Sequence, residues 1–418
     1  MRASFLVPRF LASTPVLERP DAPSIVRTTP LRRPGTLRSL AIVLVFIYHY
    51  RVFVSRAPDF GLASELGWTG VDLFFVLSGY LIGNQLFSGL AAGHALSVRS
   101  FYLRRALRTL PNFWVVLALF FLFPTVMGGN PPPPLWRFLS FTQNIDLRPG
   151  TAFSHAWSLC IEEQFYLLLP PAALLLARRG RIGWAWLAVS GGIAAGMAWR
   201  GLMWSRYGTL ADNGAQGYYP NIYYASLGRF DEFLPGVAVA LVRNFHRDTW
   251  ERMLRHGNAW LVAGLVSVAL VYWLLARTYW IDGYGYGFAG TVFGYSLMAM
   301  AFSLLVVAAM SPGSLLYRVR VPGAAALAAW SYAAYLVHKP ISQIVKAQLG
   351  HELAGPWGVF AVAVLASLAG GWLLYRVVET PFMALRDRRL PTNFPSAQAK
   401  LSPISSPTSP PIRQEATP

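Results

Sequence analysis

Long apolar runs separated by short polar segments fill the chain from residue 38 to residue 376. Each run is close to the roughly 20 residues that a helix needs to cross a bilayer. The pattern therefore predicts an all-α integral membrane protein, a bundle of about ten transmembrane helices. The predicted helices lie near 38–55, 69–89, 109–127, 155–177, 183–203, 229–243, 258–276, 286–310, 323–345 and 357–376.

Arginines alternate between the two sides of this predicted bundle. The N-terminal segment and every second connection are rich in Arg, whereas the connections between them hold few cationic residues. Because cytoplasmic connections are the positively charged ones, both termini are predicted to be cytoplasmic. Residues 1–36 then form a largely disordered cytoplasmic segment, 37–385 the membrane domain, and 386–418 a disordered cytoplasmic tail.

Composition excludes several other classes of protein. Hydrophobic residues make up 55% of the chain, and the formal net charge is +18. That charge could suit a nucleic acid, but the arginines lie at the ends of apolar runs, so we predict no nucleic-acid partner. The single cysteine, Cys160, excludes an internal disulfide and a cysteine-based metal cluster. No spacing of His and acidic residues demands a metal either.

His49 lies near the far end of the first apolar run, eleven residues after Arg38. A titratable side chain is costly in hydrocarbon and is a functional candidate by default, although a histidine at the membrane interface is the alternative. On the predicted topology, acids and imidazoles collect in the outer half and guanidiniums at the inner end. The outer set is His49, Asp72, His155, Glu162, Glu163, Asp231, Glu232 and His338, and the inner set is Arg38, Arg104, Arg105 and Arg108.

The segment HAWSLCIEEQFYLLLP, 155–170, carries two adjacent acids inside an apolar run. His155, Glu162 and Tyr166 recur at helical spacing and can share one face. Glu162 and Glu163 cannot both face lipid without a cost on the order of 2.5–3.5 kcal/mol each, so at least one should point into the bundle. It either forms a structural ion pair with an arginine or orients His49 and accepts its proton.

The segment FYLRRALRTLP, 101–111, places Arg105 and Arg108 one helical turn apart, with Arg104 adjacent. Ordinary anchoring at the cytoplasmic face is one interpretation. The other is a phosphate clamp, because paired guanidiniums bind phosphoryl oxygens with bidentate geometry. Pro111 is expected to mark the start of the third helix.

The segment GWTGVDLFFVLSGYLIG, 67–83, alternates small and apolar residues. Gly79 and Gly83, four residues apart, indicate close contact with another helix. Asp72 at the start of the helix favours its dipole, and Ser78 is expected to bond to its own helix backbone. His338 alone would more often be a core or interface histidine than a catalytic one.

Taken in order, these segments resemble the membrane acyltransferase-3 family, whose members O-acetylate or otherwise acylate sugars of bacterial surface and exported glycans. The resemblance covers nearly the whole membrane region, and the set of motifs is more specific than any single one. The matching stretches are LRSLAIVLVFIYH (37–49), GWTGVDLFFVLSGYLI (67–82), FYLRRALRTLP (101–111), HAWSLCIEEQFYLLLP (155–170), GRFDEFLPGVAVA (228–240), SYAAYLVHKP (331–340) and RVVETP (376–381).

The resemblance implies a multi-pass protein of the bacterial inner membrane with no permanently bound cofactor. It implies acyl-CoA, most commonly acetyl-CoA, as the cytoplasmic co-substrate and a carbohydrate or glycolipid hydroxyl as the acceptor. By position it marks Arg38, His49, Arg105, Arg108 and Glu162. Some relatives carry an extracytoplasmic esterase-like domain. This chain is expected to be a short form, so that transfer finishes in the membrane core or on a separate polysaccharide-assembly partner.

The resulting hypothesis makes His49 a general base that Glu162 orients, with Glu163 as a further catalytic candidate. Arg38, Arg104, Arg105 and Arg108 would bind acyl-CoA. Two other classes stay open, a proton-coupled transporter or lipid-linked glycan flippase and a non-catalytic subunit of an export complex. The residues expected to support the acceptor side are Asp72, Ser78, His155, Tyr166, Asp231, Glu232 and His338.

Overall fold

The structure, a computed structural model, describes residues 35–57, 60–128, 130–208, 217–281, 285–349 and 355–394. Most of these residues are helical, and one short hairpin pairs Tyr279–Ile281 (β1) with Gly285–Tyr286 (β2). The helices are α1 (Gly35–Tyr50), α2 (Leu62–Glu65), α3 (Thr69–Ala91), α4 (Val98–Leu122), α5 (Leu135–Leu139), α6 (Trp157–Arg178), α7 (Ile182–Met203), α8 (Leu234–Phe245), α9 (Arg247–Arg255), α10 (Gly257–Arg277), α11 (Tyr295–Met310), α12 (Leu315–Arg318), α13 (Ala324–Leu349), α14 (Gly355–Leu374) and α15 (Thr380–Arg389).

Many of these helices are long enough to span a membrane. Within the described ranges, eight helical segments are long and apolar enough to cross a bilayer. The 26 residues of α13 also have the length. The predicted class, an all-α integral membrane protein, is thereby confirmed. The eight segments are Gly35–Ser55, Thr69–Ala91, Val98–Leu122, Ser154–Arg178, Ile182–Gly208, Gly257–Arg277, Gly290–Met310 and Gly355–Arg389.

The helix predicted at 229–243 is wrong as a continuous span. Its α-helical part, α8, has 12 residues and rises only about 18 Å. The chain enters it through two 3₁₀ turns, Ser226–Gly228 and Phe230–Phe233. The physical reason is that Arg229 and its acidic neighbours bind other segments there, and those contacts replace a regular helical entry.

The third predicted helix begins eleven residues earlier than expected, at Val98 instead of 109. Ser97 caps it, because its hydroxyl accepts from the Ser100 backbone N–H at 3.3 Å. The arginines of this segment therefore lie inside α4 and not before it. Pro111 is an interior residue of α4, so the prediction that it marks the helix start is wrong.

Close approach of α3 and α8 organises the centre of the bundle. A Cβ at Gly79 would overlap the carbonyl of Phe233, and a Cβ at Gly236 would overlap the carbonyl of Val76. A Cβ added at Gly83 would lie 3.2 Å from the Cβ of Ala240. The predicted close contact at the α3 glycines is confirmed, and α8 is the partner.

A proline in α6 opens a backbone acceptor to a neighbouring helix. Pro171 has no N–H with which to bond the carbonyl of Leu167, four residues earlier. The hydroxyl of Tyr102 on α4 donates to that carbonyl at 2.7 Å. The proline thus frees a backbone acceptor for a polar link between α4 and α6.

The chain after residue 385 is ordered for longer than predicted. α15 continues to Arg389, and the carbonyl of Asn393 accepts from the Ser97 N–H at 2.9 Å. The ring of Phe394 packs where a side chain at Gly89 would stand. The predicted disorder is therefore wrong for 386–394, because these residues pack against the ends of α3 and α4. The remaining tail and the segment before Gly35 lie outside the described residues.

Candidate active site

Three histidines that are distant in the sequence meet at the C-terminal end of α1. The Nδ1 atom of His49 lies 2.6 Å from Nε2 of His338, and the two rings stack with centroids 4.9 Å apart. The ring of His155, in the turn before α6, lies 6.2 Å from that of His49 and 5.6 Å from that of His338. The structure thus brings together three candidates that the sequence placed at one depth.

The hydrogen bonds of His338 assign the proton positions on His49. Nδ1 of His338 lies 2.8 Å from the carbonyl of Tyr335 and 3.2 Å from that of Ala334. Both are acceptors, so Nδ1 carries the hydrogen and Nε2 of the neutral ring accepts. His49 must then donate through Nδ1, which leaves Nε2, with its lone pair, as the basic atom of the ring. A base oriented in this way is ready to accept a proton from a hydroxyl.

His155 is held by a carbonyl that a proline leaves free. Its Nε2 lies 3.1 Å from the carbonyl of Leu336. That carbonyl lacks its usual helical donor, because Pro340, four residues later in α13, has no N–H. The Nδ1 atom of His155 has no hydrogen-bond partner among the described residues. Its lone pair therefore adds an unused acceptor beside His49.

A cavity, which we call the histidine cavity, opens beside these rings. Aromatic side chains form much of its wall, and its cationic member is Lys339. The lining contains no Asp or Glu from the described part of the chain. Its residues are Tyr48, His49, Val52, Phe53, Pro149, Gly150, Ser154, His155, Trp157, Tyr219, Tyr223, Tyr224 and Lys339.

A second cavity lies toward the start of α1, and we call it the arginine cavity. The Ser78 hydroxyl donates to Glu162 at 2.7 Å and accepts from the Tyr166 hydroxyl at 2.9 Å. The guanidinium of Arg105 stacks on the Tyr166 ring, 3.6 Å from its centroid. The lining residues that carry polar groups are Arg38, Ser78, Arg105, Arg108, Thr109, Ser158, Glu162, Tyr166, Ser331, Tyr332 and Tyr335.

The three guanidiniums of the arginine cavity are unequally neutralised. Arg108 lies 3.4 Å from Glu379, and Arg105 lies 3.9 Å from Glu163. Arg38 makes no ion pair with any described residue, and its buried Nε has no hydrogen-bond partner there. Three guanidiniums around one cavity, one of them without an ion-pair partner among the described residues, provide donors for an anion with several oxygens.

Glu379 is a member of this site that the sequence analysis did not identify. It is buried, pairs with Arg108 and accepts from the Asn112 amide at 2.8 Å. The signal was present, because RVVETP places an acid inside an apolar segment, and such residues are functional candidates. Glu379 holds Arg108 in position at the wall of the cavity.

Several predicted contacts are wrong. Glu162 does not orient His49, because it lies two turns after His155, roughly 10 Å along the helix, and bonds to Ser78 in the arginine cavity. The side chain that contacts the His49 ring is His338 instead. Ser78 bonds to Glu162 and Tyr166 and not to its own helix backbone.

Arg104 does not line the arginine cavity. Its guanidinium bonds to Asp387 at 2.9 Å and to the carbonyl of Leu390 at 3.2 Å. These contacts attach α4 to the end of α15. Arg104 therefore contacts the end of α15, whereas Arg105 and Arg108 line the arginine cavity.

The other predicted supporting acids belong to buried ion pairs. Arg229 bonds to Asp72 and Glu232, and the side chains of all three are fully buried. Asp72 also stands in the first turn of α3, as expected for an acid that favours the helix dipole. Arg200 and Asp231 form a second such pair at 2.6 Å. Breaking pairs of this kind typically costs about 3–5 kcal/mol, so they hold the 226–233 turns in place.

Tyr335 lies between the arginine cavity, which it lines, and His155, a residue of the histidine cavity. Its hydroxyl donates to the carbonyl of His155 at 2.6 Å and lies 2.7 Å from the Ser158 hydroxyl. Tyr335 lines the arginine cavity, while its ring lies 5.7 Å from that of His338. One side chain therefore separates a guanidinium-rich cavity from a histidine base.

A bundle of apolar helices with a paired imidazole at one end and clustered guanidiniums at the other defines a membrane protein with an enzyme-like interior. The acyltransferase-domain family matches residues 34–376, most of the chain. The chain therefore belongs to the acyltransferase-3 family.

Curated relatives are similar over shorter stretches. The peptidoglycan O-acetyltransferase OatA of Listeria monocytogenes is 28% identical over 229 residues, which is 50% of this chain and 34% of that protein. The O-acetyltransferase OatA of Staphylococcus aureus is 30% identical over 169 residues, 36% of this chain and 26% of that protein. The putative peptidoglycan O-acetyltransferase YrhL of Bacillus subtilis is 34% identical over 151 residues, 32% of this chain and 22% of that protein. The matches thus span about a third or less of these relatives. No solved structure matches the chain.

Proposed function

We propose that this protein is an integral-membrane O-acyltransferase of the bacterial inner membrane. It would move an acyl group, most commonly acetyl, from cytoplasmic acyl-CoA to a hydroxyl of a surface or exported carbohydrate. The observation that carries the proposal is the pairing of His49 with His338 in a chain of the acyltransferase-3 family. The printed activity of the relatives, O-acetylation, agrees with it.

The arginine cavity supports the donor half of the proposal. CoA carries phosphate groups, and guanidiniums bind phosphoryl oxygens with bidentate hydrogen bonds. Arg38, Arg105 and Arg108 line one cavity, and Arg38 keeps donors that no described residue uses. The acyl-pantetheine arm would extend from this cavity past Tyr335 toward His49. Arg38 and His49 are eleven residues apart on one helix, or roughly 16 Å.

The histidine cavity supports the acceptor half. Nε2 of His49 would take the proton of the acceptor hydroxyl as its oxygen attacks the thioester carbonyl. The C–S bond then breaks, the ester forms, and the proton passes to the CoA thiolate. His338 would hold the tautomer of His49 throughout, as its 2.6 Å contact with Nδ1 indicates. Acetyl-CoA and an alcohol thus give an acetyl ester and free CoA.

The test separates the two halves in purified, membrane-reconstituted protein. Changing His49→Ala should abolish acetyl transfer but leave acetyl-CoA binding unchanged, because the base is lost and the donor cavity is intact. Changing Arg105→Ala together with Arg108→Ala should weaken acetyl-CoA binding at least 10-fold, because two phosphate ligands are lost. Transfer is measured from radiolabelled acetyl-CoA and binding by equilibrium dialysis.

A cellular assay separates an acyltransferase from a transporter or flippase. Deleting the gene should remove a base-labile ester from a surface or exported glycan while the glycan itself stays in place. A missing or mislocalised glycan would instead identify a transporter. Retained transfer by the His49→Ala protein would refute the assignment of the base.

A further inference from the structure

Lys339 is a buried cation in the wall of the histidine cavity. Its residue surface is 8% exposed, and its ammonium lies 3.9 Å from the centroid of the Phe53 ring. It follows His338 directly in α13, so it stands beside the imidazole pair. A charge in this position costs free energy unless another charge or several hydrogen bonds compensate it.

The described residues compensate Lys339 only in part. An ammonium has three N–H donors, and one of them bonds to the Ser154 hydroxyl at 3.1 Å. No carboxylate of the described chain lies within ion-pair distance of it, and none lines the cavity. The ring of Phe53 adds a cation–π contact but accepts no conventional hydrogen bond. Donors toward the cavity therefore lack an acceptor.

The opposite wall of the cavity is aromatic. Trp157, Tyr219, Tyr223 and Tyr224 line it, and their rings lie within 5.0–5.4 Å of one another in successive pairs. Aromatic side chains offer an apolar face together with a polar tip. Such a wall suits a sugar ring, which has apolar C–H faces and hydroxyls around its edge.

We propose that the histidine cavity selects an anionic saccharide, with Lys339 binding its carboxylate or phosphate group while a nearby hydroxyl faces Nε2 of His49. This inference rests on the proposed function, because it assigns the acceptor class of the same reaction. The anion supplies the acceptor that the ammonium lacks. Lys339 is thus a residue that determines specificity, and His49 remains the base.

The experiment compares acceptors that differ in charge alone. An acidic oligosaccharide is tested beside its amide, made by converting the same carboxyl group, and a sugar phosphate oligomer beside its dephosphorylated form. Wild-type protein should prefer one acid over its neutral partner at least 10-fold in kcat/KM. Lys339→Met should lower kcat/KM for that acid about 10–100-fold, chiefly through KM, because a charge-assisted hydrogen bond is lost. Transfer to the neutral partner should stay within about 2-fold.

Matched variants isolate the charge of Lys339. Lys339→Arg should retain the preference for the acid. Lys346→Met removes a lysine of the same helix that bonds to the Val54 carbonyl and does not line the cavity, and it should leave the preference unchanged. The carboxylate and phosphate pairs show which anion the cavity accepts.

Two outcomes would overturn the inference. Equal losses on the acid and its neutral partner would mean that Lys339 acts on the reacting atoms or on the fold alone. A wild-type protein without any preference would exclude anion selection. Failure of the proposed function is distinguishable, because wild-type protein would then transfer acetyl to neither partner of either pair.

Discussion

The imidazole of His49 illustrates how one side chain acquires a defined chemical role. No acid among the described residues bonds to it, in contrast to the common arrangement of a base oriented by a carboxylate. Its neighbour is the neutral ring of His338, whose own Nδ1 hydrogen is directed to two carbonyls of α13. The backbone of one helix thereby sets the tautomer of a side chain on another.

A substitution pair at His338 tests this arrangement. Gln places an amide oxygen near the position of Nε2 and can accept from His49, whereas Phe fills the space without an acceptor. His338→Phe should lower kcat about 100-fold by removing the orientation of the base, and His338→Gln should recover at least 10-fold of that loss. The measurement is acetyl transfer at saturating acetyl-CoA.

Acetyl-CoA binding serves as the control, because both variants should bind the donor like the wild type. The proposal that His338 orients His49 fails if Gln and Phe reduce kcat equally. In that case only the volume of the ring matters at this position.

At the scale of elements, backbone contacts between helices position the residues of the site. α3 and α8 approach through glycines, and the close contact brings Asp72 of α3 to Arg229 before α8. Pro340 performs a comparable role in α13, because it frees the carbonyl that holds His155. Residues without reactive side chains thus fix the distances between those that have them.

Gly236→Ala should destabilise the bundle by about 1–3 kcal/mol, because a Cβ there would overlap the carbonyl of Val76, which is backbone and cannot rotate away. Gly191→Ala is the matched control, since an added Cβ there meets nothing within 4 Å. The measurement is thermal unfolding in detergent. An equal effect of both substitutions would show that the α3–α8 contact is looser than described.

At the scale of the whole molecule, the predicted orientation places α2 on the extracytoplasmic side of the membrane and the turn after α3 on the cytoplasmic side. Ala63 and Ala92 are exposed residues on these two segments. The native Cys160 is buried and is replaced by Ala in this test. In intact cells, a membrane-impermeant maleimide should label Ala63→Cys and should label Ala92→Cys only after the cells are permeabilised.

The reverse pattern would invert the predicted topology and place the arginine cavity on the outer face. The donor would then have no access from the cytoplasm. Labelling of both positions in intact cells would show that the test reports leakage and must be repeated with sealed vesicles.

Much of the helical pattern is predictable from hydropathy, because each span is long and apolar by itself. The candidate list could also be predicted in part, since His49, Arg105 and Glu162 are polar groups in apolar runs. The pairing of His49 with His338 could not, because it joins residues 289 positions apart. The hydrogen bond between Glu162 and Ser78 could not be predicted either. It depends on the relative depth of neighbouring helices, which is set by packing and is not revealed by periodicity.

The separation of the two cavities along α1 has an electrical consequence. Arg38 and His49 lie roughly 16 Å apart, about half the thickness of a hydrocarbon core of about 30 Å. Under the proposed function, His49 carries a proton and the CoA sulfur a negative charge between the breaking of the C–S bond and the passage of the proton to the thiolate. A thiolate that moves toward the arginines in that interval separates charge along α1. Moving one elementary charge through half of the membrane field corresponds to about 1 kcal/mol per 100 mV. Turnover would then be voltage-dependent, and the resting potential of the cell would set part of the barrier to releasing CoA.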